Sequence, residues 1–154
     1  MSYTFRGRTL SKIGVIGSGQ IGPDIALHMT KVMQPHDVPV VIVDVAEAAL
    51  TAGRAKLEKK IDKGVETGAF KPDRARAMKD NTTFTSDYEE LKGADLVVEA
   101  ATEDLKIKRI IFGQLEGIVS DDCILASNSS HMEPEVIFGE AKNKARTCVI
   151  HYFF

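Results

Sequence analysis

Lys12-Ile13-Gly14-Val15-Ile16-Gly17-Ser18-Gly19-Gln20-Ile21-Gly22 decides the fold. An apolar strand pattern runs straight into G-x-G-x-x-G, and a helical pattern follows from about Gln20 to Met33. In that setting Gly17 allows a tight turn, Gly19 lets a pyrophosphate approach the backbone, and Gly22 lets the new helix pack close to the strand. The helix N-terminus adds free N–H groups and the positive end of a dipole. The stretch predicts a dinucleotide cradle in which Gly17, Gly19, Gln20, Ile21 and Gly22 touch the cofactor.

A second apolar run, Val38-Pro39-Val40-Val41-Ile42-Val43, ends at Asp44. An acid about 20 residues beyond the last glycine can accept hydrogen bonds from the adenosine ribose hydroxyls. It would repel a 2′-phosphate, and Val45-Ala46-Glu47 brings no arginine to hold one, so NAD is expected over NADP.

Further strand patterns complete an alternation with helices. Strands are expected near 12–17, 39–44, 82–85, 95–100, 123–127 and 146–152. This is the pattern of a doubly wound α/β domain with a mainly parallel sheet. The segment after Asp44 is long for a crossover. Leu50, Leu57, Ile61 and Val65 form one stripe, Gly68 stops that helix, and Lys71-Pro72-Asp73 starts another through about Lys79. A helical hairpin is therefore inserted after the second strand, and its polar face carries Lys56, Lys59, Lys60 and Lys63. These lysines read either as a solvated face or as a contact for a phosphorylated substrate. Ser86-Asp87-Tyr88-Glu89 reads as a capping box, Asp104 as the cap of a helix through Leu115, and Pro134 as the start of a last short helix.

The bulk numbers fit one domain over residues 1–154, with 44% hydrophobic and 27% charged residues. A net charge of −2 offers no field for nucleic acid or a membrane surface. The chain contains no apolar run long enough to span a bilayer, and Met1 to Ser11 lack the apolar core of a secretory signal. Cys123 and Cys148 each open an apolar run and would lie close if those strands are neighbours; the expected state is reduced and cytoplasmic. His28, His36 and His131 have no companions that suggest a metal.

Ligands of such a sheet bind outside the carboxyl ends of its strands. Those ends carry Glu103, Asn128, Ser129, Ser130 and His151. A histidine there can take a hydroxyl proton while the adjacent carbon gives hydride to NAD, and a serine can hold the same oxygen.

These residues resemble the N-terminal NAD-binding domain of the 3-hydroxyacyl-CoA dehydrogenases, a Rossmann-type fold, over nearly the whole chain. Four stretches carry the likeness: Ile13 to Ala26, the lysine-bearing hairpin, Val97 to Lys108 (similar to V-V-E-A-x-x-E-x-L-x-x-K), and Ala126 to Ser130 with His151 to Phe153 (similar to S-N-T-S followed by H-F-F). The resemblance implies oxidation of a 3-hydroxyacyl-CoA to the 3-ketoacyl-CoA in fatty-acid β-oxidation. It implies His151 as catalytic base, Ser130 as the residue holding the substrate, and Glu103, Lys108 and Asn128 at the cofactor. It also implies that Lys56, Lys59, Lys60 and Lys63 lie near the CoA phosphates. Pro23 and His131 depart from the family pattern.

Family members continue past H-F-F into two further strands and a helical C-terminal domain; the acid behind the histidine lies downstream, and the helical domain supplies an asparagine and most of the dimer contact. The chain is therefore expected to be a fragment that binds NAD and turns over poorly. Its apolar ending, Val149 to Phe154, would favour self-association as a homo-oligomer. Two rivals are a dehydrogenase of a free 3-hydroxy acid, against which the lysines argue, and a non-catalytic NAD-binding module.

Overall fold

Short runs rich in Val and Ile pack well on a pleated, two-sided core, and here they form a parallel sheet. The computed structural model describes residues 1–153. The chain runs β1 (Tyr3–Phe5), β2 (Arg8–Leu10), β3 (Ile13–Ile16), α1 (Gly22–Met33), β4 (Val40–Val43), α2 (Glu47–Glu66), α3 (Pro72–Asp80) and β5 (Thr82–Thr85). It continues through β6 (Leu96–Glu99), α4 (Leu105–Leu115), β7 (Ile124–Asn128), α5 (Pro134–Ile137) and β8 (Thr147–Ile150). The main sheet has the order β5-β4-β3-β6-β7-β8, and every neighbouring pair is parallel. The order reverses beside β3, which opens a crevice between the ends of β3 and β6. This is the expected doubly wound fold, with the α2–α3 hairpin after the second strand of the main sheet.

Strand alternation splits the core into two layers. Val15, Ile42, Val98 and Ala126 face Ile25, Leu57, Ile61 and Met78 of α1, α2 and α3. Ile16, Val43, Val97 and Leu125 face Ile111, Phe112 and Leu115 of α4. The helical stripe behaves as read: Leu50, Leu57 and Ile61 are buried and Val65 is half-buried.

One element is new and three local readings change. Within the first eleven residues, β1 and β2 form an antiparallel hairpin that turns at Arg6 and Gly7, both with positive φ. The capping residue before Tyr88 is Asp87, whose carboxylate accepts from Glu89 N at 2.9 Å, and the element is a single 3-10 turn. The last strand stops at Ile150, which leaves His151 just outside it. Cys123 and Cys148 belong to opposite layers, because Cys148 registers with Ala126 rather than with the residues before β7. Both thiols are free, and burial pushes that of Cys123 up to about 11. Phe154, read above among the terminal aromatics, lies outside the described residues.

Candidate functional site

The glycine loop joins β3 to α1 at the crevice. Gly17 has φ 100°, and a side chain there would lie 2.7 Å from Ala101 Cα. A Cβ on Gly22 would lie 1.8 Å from the Gly17 carbonyl oxygen, so the turn closes only without one. Gly19 is different: a Cβ there meets no atom within 4 Å. The space over Gly19 is open, as a bound pyrophosphate requires. Among the described residues, the N–H groups of Gly19, Gln20 and Ile21 donate to nothing. Gly19, Gln20 and Ile21 share one cleft with Ala100, Ala101, Thr102, Glu103 and Asn128.

Asp44 stands one residue beyond β4. Its Oδ2 accepts from Ser18 N at 2.8 Å and its Oδ1 from Ala46 N at 2.9 Å. Two backbone donors thus fix the carboxylate beside the loop, with lone pairs left for ribose hydroxyls. The nearby Tyr88 phenol is held above its ordinary pKa, chiefly by burial and then by the charges of Asp44 and Glu99.

On the other wall, Ser129 Oγ donates to Glu103 Oε2 at 3.0 Å. Asn128 Oδ1 accepts from Tyr152 N at 2.9 Å, and Ser129 N donates to the Ile150 carbonyl at 3.1 Å. These bonds tie the ends of β7 and β8 together on both sides of His151. The His151 ring is exposed and lies 4.0 Å, centroid to centroid, from that of Phe153. Ser130 is also exposed, with Oγ 3.4 Å from His131 Nδ1. No described side chain hydrogen-bonds the His151 ring.

Lys108 departs from the expected cofactor contact. Its side chain has 0% exposure, and its Nζ pairs with Glu99 Oε2 at 2.7 Å and donates to Ser127 Oγ at 3.0 Å. Ser127 Oγ in turn donates to Glu99 Oε2 at 2.7 Å. The other Glu99 oxygen accepts from Ala101 N at 2.8 Å, at the cleft wall. Lys108 therefore reaches the cleft only through Glu99. Sequence reasoning missed Glu99 and Ser127; the signal was a carboxylate closing β6 nine residues before a lysine on the next helix.

The hairpin lysines divide. Lys56 pairs with Asp24 at 2.7 Å and Lys60 with the other oxygen of the same carboxylate, while Lys63 pairs with Glu66 at 2.9 Å. Lys59 is exposed and pairs with no described residue. Burial opposes ionisation of Asp24, but the hydrogen bonds and charges of Lys56 and Lys60 outweigh it and hold the carboxyl below its ordinary pKa. Asp24 was not read as a site residue. Among the described residues no cluster could hold a metal, and no helix is long and apolar enough to cross a membrane.

A glycine turn at the switch point, free N–H groups beneath open space and a fixed acid after the second parallel strand define a dinucleotide-binding domain. The family described as "3-hydroxyacyl-CoA dehydrogenase, NAD binding domain" matches residues 12–154. The chain belongs to that family, and its cofactor is NAD. It is 35% identical over 148 residues to a 3-hydroxybutyryl-CoA dehydrogenase of Mycobacterium tuberculosis, covering 94% of this chain and 49% of the relative. The crystal structure of the (S)-3-hydroxybutyryl-CoA dehydrogenase of Ralstonia eutropha superposes with a TM-score of 0.86 at 28% identity, over 94% of this chain and 50% of that one. The 3-hydroxybutyryl-CoA dehydrogenase of Escherichia coli K12 gives 0.85 at 29% identity, over 94% of this chain and 30% of that one. The chain spans about half the length of the curated relatives it matches.

Proposed function

We propose that this chain is the cofactor-binding part of an NAD-dependent 3-hydroxyacyl-CoA dehydrogenase. One observation carries the reading: Asn128 lines the same cleft as the glycine loop and, through Tyr152 N, holds the strand end that bears His151. The cofactor cradle and the candidate base are thereby joined. Bound NAD would accept a hydride from the carbinol carbon of the substrate. His151 takes the hydroxyl proton on a ring nitrogen, and Ser130 Oγ donates a hydrogen bond to the same oxygen as it becomes a carbonyl. Glu103 and Asn128 flank the cofactor, and Asp44 receives its adenosine ribose.

The free thiols suit a reducing compartment, and the cytoplasm is the location this reading favours. The edge strand β8 supports self-association. One observation favours a second reading, a dehydrogenase of a free 3-hydroxy acid: Lys56 and Lys60 are already taken up by Asp24 instead of waiting for CoA phosphates.

The test is a fluorescence titration with NADH and NADPH, on the chain and on Gly19→Ala. The added methyl meets no protein atom within 4 Å, so the fold should be kept while the pyrophosphate loses its approach. NADH should bind more tightly than NADPH, and the variant should bind NADH more weakly; equal binding by chain and variant would overturn the cradle. In the full-length enzyme, His151→Ala should lower kcat with acetoacetyl-CoA by about 10²–10⁴-fold.

A further inference from the structure

Asp24 lies in the first turn of α1, 8% exposed, with both carboxylate oxygens engaged by lysines of α2. Lys56 makes a second bond, donating from Nζ to the carbonyl of Gln20 inside the glycine loop. The approach depends on Gly53, where a Cβ would lie 2.0 Å from Ser18 Oγ. α2 comes down onto the loop at Gly53, and Lys56, one turn later, reaches over it.

The described residues contain no cis peptide bond. In a trans peptide the C=O and the next N–H point in opposite directions. Anchoring the Gln20 carbonyl to Lys56 therefore turns the Ile21 N–H away from α2. That N–H is one of the three unpaired donors of the loop, and Ile21 lines the cleft. Charge points the same way. A lone carboxylate beside a phosphate-binding helix end would repel the ligand, whereas two ammonium groups around it leave a net charge of about +1.

We propose that Asp24, Lys56 and Lys60 form an internal clamp on the glycine loop, and that Lys56 is a positioning residue for the cofactor pyrophosphate rather than a grip on the substrate. This rests on the NAD reading above. Lys59 and Lys63 remain on the solvent side of α2, and any contact with substrate phosphates falls to them.

The experiment compares the chain, Lys56→Met and Lys56→Gln for binding of NADH, adenosine and coenzyme A, with urea denaturation of each. Lys56→Met should weaken NADH about tenfold, a loss of the size of one charge-assisted hydrogen bond. Adenosine, which has no pyrophosphate, and coenzyme A should bind within about twofold of the starting chain. Equal losses for NADH and adenosine would reduce Lys56 to a structural residue and overturn the proposal. So would a loss of coenzyme A with NADH untouched. Should Lys56→Met unfold, Lys56→Gln, which likewise removes the ammonium from the Gln20 carbonyl but keeps a polar side chain, must show the same split. Failure of the starting chain to bind NADH would strike the NAD reading itself, an outcome distinct from either.

Discussion

Two acid–lysine clusters flank the cofactor cleft, and they differ in nearly everything but composition. Glu99 and Lys108 are dry, one charge against one charge, with Ser127 filling the remaining bonds. Asp24 holds two lysines whose side chains are 36% and 46% exposed. Depth decides what each can do. The buried cluster is a fixed strut: its charges were removed from water on folding, and neither tolerates losing its partner. The outer cluster keeps its lysines in solvent, so its pairs are weaker and screened, but its surplus positive charge stays available to a ligand.

The largest expected effect breaks the strut. Lys108→Met leaves the Glu99 carboxylate buried without its cation and should cost about 3–5 kcal/mol in urea denaturation. The double variant Glu99→Met, Lys108→Met should be more stable than that single variant, because no orphan charge remains. It should still bind NADH more weakly, because Ala101 N has lost the acceptor that holds the cleft wall. A single variant as stable as the parent would show that water reaches the cluster after all.

The middle effect lies at the outer cluster. Asp24→Asn should cost about 1 kcal/mol near neutral pH. The sign with pH follows from the depressed carboxyl. Its contribution is complete above the ordinary carboxylate range and is lost as pH falls through the lowered pKa. The stability gap between parent and variant should therefore close in strong acid, as followed by denaturation midpoints. A gap that widens in acid would contradict the assignment. The smallest effect is salt: 1 M sodium chloride, with a screening length of about 3 Å, should shrink the Asp24→Asn gap and leave the Lys108→Met gap in place.

Much of this architecture was legible in the sequence because its signals are local. The glycine spacing, Asp44 after a β-branched run, and the 3.6-residue stripe of α2 each report on a few consecutive residues, and each lands where it was read. What was not legible depends on partners distant in sequence. The spacing of Lys56 and Lys60 gives the face of a helix, but only the fold brings Asp24 to that face, 32 and 36 residues away. Lys108 was placed at the cofactor by resemblance, and its spacing gives no sign of Glu99 and Ser127, which close over it from two strands. The two cysteines each open an apolar run, yet register, which no single run reports, sends them to opposite layers. The β1–β2 hairpin escaped because strands of three residues are too short to show a period.

That hairpin has a practical side. Arg8 donates to the Asp122 carbonyl at 2.9 Å, Ser11 N donates to Asp95 at 2.6 Å, and the Tyr3 ring packs 4.7 Å from that of His36. All of these partners lie before strands begin, at the opposite end of the sheet from the cleft. Met1 is 87% exposed there. The amino end is thus a ready handle: an affinity tag, a fluorophore or a surface linker fixed to it would face away from the ligand, and an immobilised chain would present its cofactor mouth to the solution.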